Sequence, residues 1–311
     1  MSRILIAGCG YLGIALGNRL ASEGHKVWGL RRHIEHLSSS IHPIQADLQN
    51  SEDLIRIPEE LDFIFYVAAA DSADDAAYRG AYVVGLGNLI NSLRDQRQHP
   101  QRIFFTSSTA VYGQTRGEWV DEGSPTVPRD FAGRRLLEAE NLLFSGPFHA
   151  TVLRLAGIYG PGRTRLMDQV RRGEKLKDTP GTYSNRIHRD DCVEVLSHLK
   201  QLKAPQQLYI GVDHEPTQQH TVLRWLAERL GPAAQAEATV ASLANRKNPS
   251  TGARAELLLR RVRSNKRCRN GQLLQSGYQF RYPTFREGYA ALLDNKDSLH
   301  QQTQDQESPG G

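Results

Sequence analysis

Gly8-Cys9-Gly10-Tyr11-Leu12-Gly13 is a G-x-G-x-x-G that directly follows the apolar run Arg3–Ala7 and opens a helical pattern. In that context each glycine has a physical task. Gly8 permits a tight turn, Gly10 lets a pyrophosphate approach the backbone, and Gly13 lets helix and sheet pack closely. The first helical turn, with Tyr11 and Leu12, offers free N–H groups and a positive dipole end to phosphate. About twenty residues on, an acid normally holds the ribose 2′-hydroxyl of NAD. Here the second strand ends Val27-Trp28-Gly29-Leu30-Arg31-Arg32, and no acid follows until Glu35. Two guanidinium forks suit a 2′-phosphate. NADP is therefore expected in preference to NAD, with Arg31 and Arg32 holding the distinguishing group.

Two further patches could do chemistry. His188 stands in Arg186-Ile187-His188-Arg189-Asp190-Asp191. It reads as a tunable acid–base group or, more simply, as part of a helix start with Asp190 and Asp191. The run Arg260–Arg269 carries six basic residues and no acid. It reads as a phosphate-binding edge of a substrate site, as a solvated loop, or, least favoured, as a nucleic-acid patch. The three cysteines (Cys9, Cys192, Cys268) are scattered, which rules out a disulfide framework and a four-cysteine zinc site; no metal site is expected. Cys9, between two glycines, reads as a small packed side chain.

These residues need a scaffold, and the pattern supplies one. Arg3–Ala7, Lys26–Leu30, His42–Ala46, Asp62–Val67, Arg102–Thr106, Ala150–Leu155 and Gln207–Val212 are strand candidates, and the fourth is continuously apolar, as a strand covered on both faces should be. Tyr11–Glu23, Tyr82–Arg94, Phe131–Phe144 and Thr217–Leu230 have helical spacing. Strand–helix alternation with short connections predicts an α/β fold with a doubly wound parallel sheet. Periodicity weakens over 161–185 and after Leu230, the expected location of a smaller substrate domain. The expected division is 1–160 plus 186–214 for the dinucleotide-binding domain and 161–185 plus 215–294 for the substrate domain. The polar stretch 295–311 is expected to be a disordered tail.

The chain has 311 residues, 39% hydrophobic and 23% charged, with a formal charge of +5. That composition is globular. No stretch approaches a membrane span, the N-terminus lacks a cleavage pattern, and cysteine usage fits a reducing compartment, so a cytoplasmic protein is expected. The positive balance permits an anionic small-molecule ligand without requiring nucleic acid.

Further patches carry a resemblance. Ala46-Asp47-Leu48 follows the third strand and Tyr66-Val67-Ala68-Ala69-Ala70 ends the fourth. Phe105-Thr106-Ser107-Ser108-Thr109-Ala110-Val111-Tyr112-Gly113 ends the fifth, and Leu153-Arg154-Leu155-Ala156-Gly157-Ile158-Tyr159-Gly160-Pro161-Gly162 ends the sixth. In this order they resemble the extended short-chain dehydrogenase/reductases, the NAD(P)-dependent epimerase/dehydratase group. The resemblance implies a Rossmann sheet of about seven strands with a small C-terminal substrate domain. It implies that Asp47 and Leu48 border the adenine, that Ala68, Ala69 and Ala70 line the cofactor, that Ser108 is the catalytic serine, and that Ile158 and Tyr159 lie beside the nicotinamide. Ser264-Asn265-Lys266-Arg267 and Gly277–Pro283 resemble the C-terminal segment of atypical members, which crosses the pocket mouth.

The departures are equally specific. Family chemistry uses Tyr-x-x-x-Lys: the phenol exchanges a proton, and the lysine lowers its pKa and holds the ribose. No tyrosine of this chain has a lysine four residues later. No lysine occurs between Lys26 and Lys175, and no tyrosine between Tyr112 and Tyr159. The placement that reads best puts Phe131 in the tyrosine slot and Arg135 in the lysine slot, where Arg135 would bind ribose. Tyr112, Tyr159 and His188 are the substitute proton carriers to consider. The extended members' G-x-x-G-x-x-G also begins here with Ala7. The expected function is an NADP-dependent oxidoreductase or epimerase-like enzyme. It would act on a carbonyl or hydroxyl carbon of an anionic or sugar-like substrate, and a homodimer is compatible with the sequence. The alternative is an NADP-binding sensor or scaffold that has lost turnover, favoured by Phe131.

Overall fold

The computed structural model describes residues 1–173, 181–244 and 264–294. The expected tail and the first part of the basic run, 260–263, lie outside the described residues. The apolar runs come together in one sheet: β1 (Arg3–Ala7), β2 (Lys26–Arg31), β3 (His42–Gln45), β4 (Phe63–Tyr66), β5 (Arg102–Ser108), and two later strands, Ala150–Leu155 and Leu208–Gly211. From one edge the order is Leu208–Gly211, Ala150–Leu155, β5, β4, β1, β2, β3, every pair parallel. The chain runs outward from β1 in both directions, so β1 is the switch point. Crossovers leave opposite faces on its two sides and open a crevice at the carboxyl ends of β1 and β4.

Both faces are covered, which is why these strands are apolar throughout. On one face α1 (Tyr11–Ser22) packs with the helix Arg189–Gln201 over Ile4, Ile6, Phe65 and Phe104. On the other, the helices Gly85–Asp95 and Phe131–Phe144 cover Leu5, Ile64, Tyr66 and Phe105. A separate small cluster joins Tyr159 of the short strand Gly157–Tyr159 to Met167, Val222, Leu226, Phe285 and Tyr289 from the helix Arg165–Arg171, the helix after Gln219 and the helix over 285–294.

Three elements differ from the expected pattern. The helix expected from Tyr82 begins at Asp75 and passes through a π-helical segment, Arg79–Val84. The helix expected from Thr217 begins at Gln219, because Thr217–Gln218 instead pairs antiparallel with Tyr183–Ser184. Lys266–Cys268 forms a strand parallel to Glu118–Val120. Its side chains alternate buried, half-buried, buried, a period-2 pattern too short to read as a strand without its partner. Among the described residues no helix is long and apolar enough to cross a membrane.

Candidate active site

The crevice at the switch point is a cavity of about 500 Å³. Its floor is backbone. Gly8 has φ +82°, and a Cβ there would stand 2.3 Å from Ala68 Cα, so the turn packs directly on the end of β4. At Gly10 a Cβ would meet nothing nearer than 3.9 Å, so the turn presents bare backbone to the cavity. Gly10 occupies the cap position of α1 and supplies no side-chain hydrogen bond, leaving the first turn open to a ligand. A dinucleotide's phosphates fit this cradle. Gly13 does not line the cavity; a Cβ there would press on Ile6 and Val67 at 3.0 and 3.1 Å.

Of the other expected cofactor residues, Tyr11, Leu12, Arg31, Arg32, Asp47 and Leu48 line this cavity. So do Ala68, Ala69 and Ile158, while Ala70 does not. Arg32 is held 2.6 Å from Asp71. Tyr11 donates to the carbonyl of Pro161 at 2.8 Å, with the Arg163 guanidinium 4.2 Å over its ring. Tyr78, just before the π-helical segment, and Ala81 and Tyr82 within it add a wall that the sequence pattern did not announce. Such segments displace side chains from the ordinary helical register.

Ser108 lies at the end of β5. Its side chain accepts from the Ala110 N–H at 3.2 Å and caps a single 3₁₀ turn, Thr109–Val111. Beside it, Ser107 donates to Glu140 at 2.5 Å, and Glu140 pairs with Arg154 at 2.6 Å and 3.0 Å. Arg154 also donates to the Tyr112 phenol oxygen at 2.7 Å. The ion pair is buried, at 6% and 1% exposure. Removing one partner of such a pair costs about 3–5 kcal/mol. This network fixes the strand end that carries Ser108. Burial raises the Tyr112 phenol above its ordinary range, which makes it a structural group rather than an accessible acid.

The helix Phe131–Phe144 corrects the expected slots. Its N-cap Asp130 accepts from Gly133 at 2.9 Å. The residues it presents to the cavity are Ala132 and Leu136, not Phe131 and Arg135. One position is about 100° of helix rotation. Phe131 turns to Tyr78, ring edge to face at 5.4 Å. Arg135 makes two bonds to Asp75, at 2.9 and 2.8 Å, and one to Glu138 at 2.8 Å. Arg135 therefore lines neither cavity and is engaged elsewhere. The places facing the crevice carry a methyl group and an isobutyl group, four residues apart, and neither can move a proton.

A second cavity of about 1050 Å³ adjoins the first. Ser108, Ala110, Ala156, Ile158 and Arg163 line both. Its walls carry Arg129, Arg165, Arg172, Arg186 and Lys266 against Asp130 and Asp168, a net cationic lining. From the basic run, Lys266 lines this cavity, while Arg267 lies between the rings of Trp119 and Tyr183 at 4.8 and 4.9 Å. Asn185 ties the segment down, donating to Lys266 O at 3.0 Å and accepting from the Cys268 N–H at 2.8 Å. Tyr159 lines the cavity with its ring; its hydroxyl is buried without a hydrogen-bond partner among the described residues. His188 lines neither cavity. Its Nδ1 accepts from the Asp190 N–H at 3.2 Å, and burial pushes the imidazole down to about 4. It is a helix cap, neutral near pH 7.

Comparison with known proteins agrees with this fold. The model of the NAD dependent epimerase/dehydratase family matches residues 4–177. Protein YeeZ of Escherichia coli K12 is 32% identical over 170 residues, 52% of this chain; the match spans 61% of that protein's length. The structure of an NAD-dependent epimerase/dehydratase from Methylobacillus flagellatus is 35% identical with TM-score 0.74, covering 95% of this chain and 99% of that one. MoeE5 in complex with UDP-glucose and NAD is 20% identical, with TM-score 0.73 over 96% of this chain and 100% of that one, a likeness of fold. With the seven-stranded sheet, the glycine turn at its switch point and the family match over more than half its length, the chain belongs to the NAD-dependent epimerase/dehydratase family.

Proposed function

We propose that this protein is an NADP-linked oxidoreductase or epimerase-like enzyme acting on a carbonyl or hydroxyl carbon of an anionic, sugar-like substrate. One observation carries the reading: the glycine-turn cavity and the cation-lined cavity meet at Ser108. A dinucleotide seated along the first would bring its nicotinamide end to the mouth of the second. When bound, it supplies hydride exchange. The chain's own residues do the rest. The Gly8–Gly13 turn holds the pyrophosphate, Arg31 and Arg32 the 2′-phosphate, and Asp47 and Leu48 the adenosine end. Ser108 donates to the substrate oxygen, and the arginines of the second cavity hold an anionic group.

Support for NADP over NAD comes from the two arginines and the lack of an acid at the end of β2. Arg32 would exchange its exposed partner Asp71 for phosphate. Exposed pairs of this kind are worth about 0–1 kcal/mol, so the exchange costs little. The nucleotide-sugar assignment draws on MoeE5, whose complex holds UDP-glucose. In this reading 1–160 plus 186–214 form the cofactor domain and 161–185 plus 215–294 the substrate domain, working in a reducing cytoplasm with Cys9, Cys192 and Cys268 free.

The test is a fluorescence titration with NADPH and NADH, followed by a panel of carbonyl compounds and nucleotide-sugars. Tighter NADPH binding with turnover of one member is the expected result. A second reading, a cofactor-binding sensor, is favoured by Ala132 and Leu136 in the cavity wall. Tight NADPH binding with no turnover of any member would select it.

A further inference from the structure

Lys266 is a cavity group with no role in the reading above. It is 3% exposed and lines the second cavity together with Ser108. Its Nζ donates to the Tyr112 carbonyl at 3.1 Å and to Ser264 Oγ at 2.6 Å. An ammonium has three donors, so one is left for a ligand. Among the described residues no carboxylate forms an ion pair with it. Buried ammonium groups are costly without a partner. The carboxylate whose charge reaches it is Asp130, at the start of the helix Phe131–Phe144; the Cys268 thiol on its own strand is kept protonated by burial. Arg129, Arg163 and Arg186 line the same cavity.

The position is tied to the reacting end of the site. Tyr112 closes the 3₁₀ turn that Ser108 opens, so Lys266 is hydrogen-bonded to the backbone of the Ser108 loop. In the adjoining crevice, the helix positions that face the cofactor cavity, Ala132 and Leu136, carry no transferable proton.

Resting on the hydride-exchange reading, we propose that Lys266 is the acid–base residue of this site, giving a proton to the substrate oxygen on reduction and taking it back on oxidation. In reduction an N–H bond of Lys266 breaks and an O–H bond forms on the substrate. A bound reduced dinucleotide would supply the hydride to carbon. Lys266 is left as a neutral amine, which solvent reprotonates. Ser264 accepts from Nζ, lines the same cavity and keeps its own O–H to donate. Burial lowers the Lys266 ammonium below the ordinary lysine range, in the direction that proton exchange near neutrality needs.

The deciding experiment needs no turnover. The full-length protein is treated with formaldehyde and cyanoborohydride over a pH series, and methylation of each lysine is followed by mass spectrometry. Neutral amines react, and the pH midpoint of each rate reports its titration whatever its accessibility. The expected midpoint at Lys266 lies below the ordinary lysine range. A midpoint within that range or higher overturns the proposal, and so does a Lys266 that no pH makes reactive, because a carbonyl compound then cannot reach it. With a turned-over carbonyl from the panel, Lys266→Met should lower kcat by about 10²–10⁴-fold with unchanged NADPH affinity, and Lys266→Arg should not rescue it. Unchanged kcat in folded Lys266→Met overturns the proposal. A wild type that binds neither NADPH nor NADH would instead count against the hydride-exchange reading.

Discussion

The two adjoining cavities are built on opposite principles. The first rests on a floor of backbone and small residues at the ends of β1 and β4, Gly8, Gly10, Ala68 and Ala69, with larger side chains such as Arg31, Asp47 and Tyr82 on its walls. The second is made of long polar side chains from segments far apart in the chain, from Arg129 through Arg163 and Arg186 to Lys266. A backbone cradle binds what every dinucleotide shares, its phosphates, and tolerates no added bulk. A side-chain cavity can be re-lined one residue at a time, which is how one fold serves many substrates. The missing proton pair belongs to the boundary between them, where the helix Phe131–Phe144 presents Ala132 and Leu136.

The sharpest way to break this contrast is to add bulk to the cradle. Gly10→Val should abolish cofactor binding while circular dichroism stays native, because a Cβ at Gly10 meets nothing nearer than 3.9 Å in the protein and a branched side chain would fill space the phosphates need. Gly8→Val should instead fail as a fold, since its positive φ and the 2.3 Å approach to Ala68 leave no room. A folded Gly10→Val protein with wild-type NADPH affinity would remove the phosphate assignment.

The boundary can be tested by rebuilding it. In a Lys266→Met background, Ala132→Tyr with Leu136→Lys places a phenol and an ammonium on the cavity face and should raise carbonyl reduction by about 10²–10⁴-fold. Phe131→Tyr with Arg135→Lys, one position round the helix, should leave it unchanged. Steady-state assays of the two double variants side by side give the answer. A gain from the second pair alone would mean that the helix face is misassigned.

A smaller effect is expected at the adenosine end. Arg31→Ala with Arg32→Ala removes two charged donors, each worth about 1.5–3 kcal/mol to a phosphate. NADPH should weaken at least about tenfold and NADH hardly at all. Equal weakening of both would show that the arginines do not read the 2′-phosphate.

The smallest effect is one of pH. Behind the second cavity Asp213 is 2% exposed; one oxygen accepts from the Glu215 N–H at 3.1 Å and the other has no partner among the described residues. Burial pushes its carboxyl up to about 7. Between the ordinary carboxylate range and pH 7 the folded protein therefore holds a proton that the unfolded chain has lost. Stability from this group falls as pH rises through that window. Asp213→Asn should raise Tm by a few degrees at pH 8 and change it less at pH 5. A Tm difference that does not depend on pH would show that Asp213 does not titrate there.

Much of this molecule was legible in one dimension because it is encoded locally. A buried parallel strand must be apolar, a turn that approaches phosphate must be glycine, and both appear as contiguous residues; β1, the Gly8–Gly13 turn and α1 follow directly. The end of β2 shows its missing acid in the same way. Helix rotation was less accessible. Phe131 and Ala132 are neighbours in sequence, and only packing against Tyr78 on one side and the β5 loop on the other settles which faces the crevice. The arginine chosen from sequence as a ribose ligand is committed to Asp75, 60 residues away, a partner that no spacing rule announces.

The basic run shows the limit most clearly. By sequence alone Lys266 and Arg267 are two equivalent cations. Pairing of Lys266–Cys268 with Glu118–Val120 sends alternate side chains to opposite sides, so Lys266 enters the cavity and Arg267 stacks on Trp119. The chain's own order of residues determined the sheet, the switch point and the phosphate cradle, because each depends on residue types adjacent along the backbone. Tertiary structure alone decided which charges are buried and which face the reacting end, because burial and alignment of a side chain are set by partners distant in sequence.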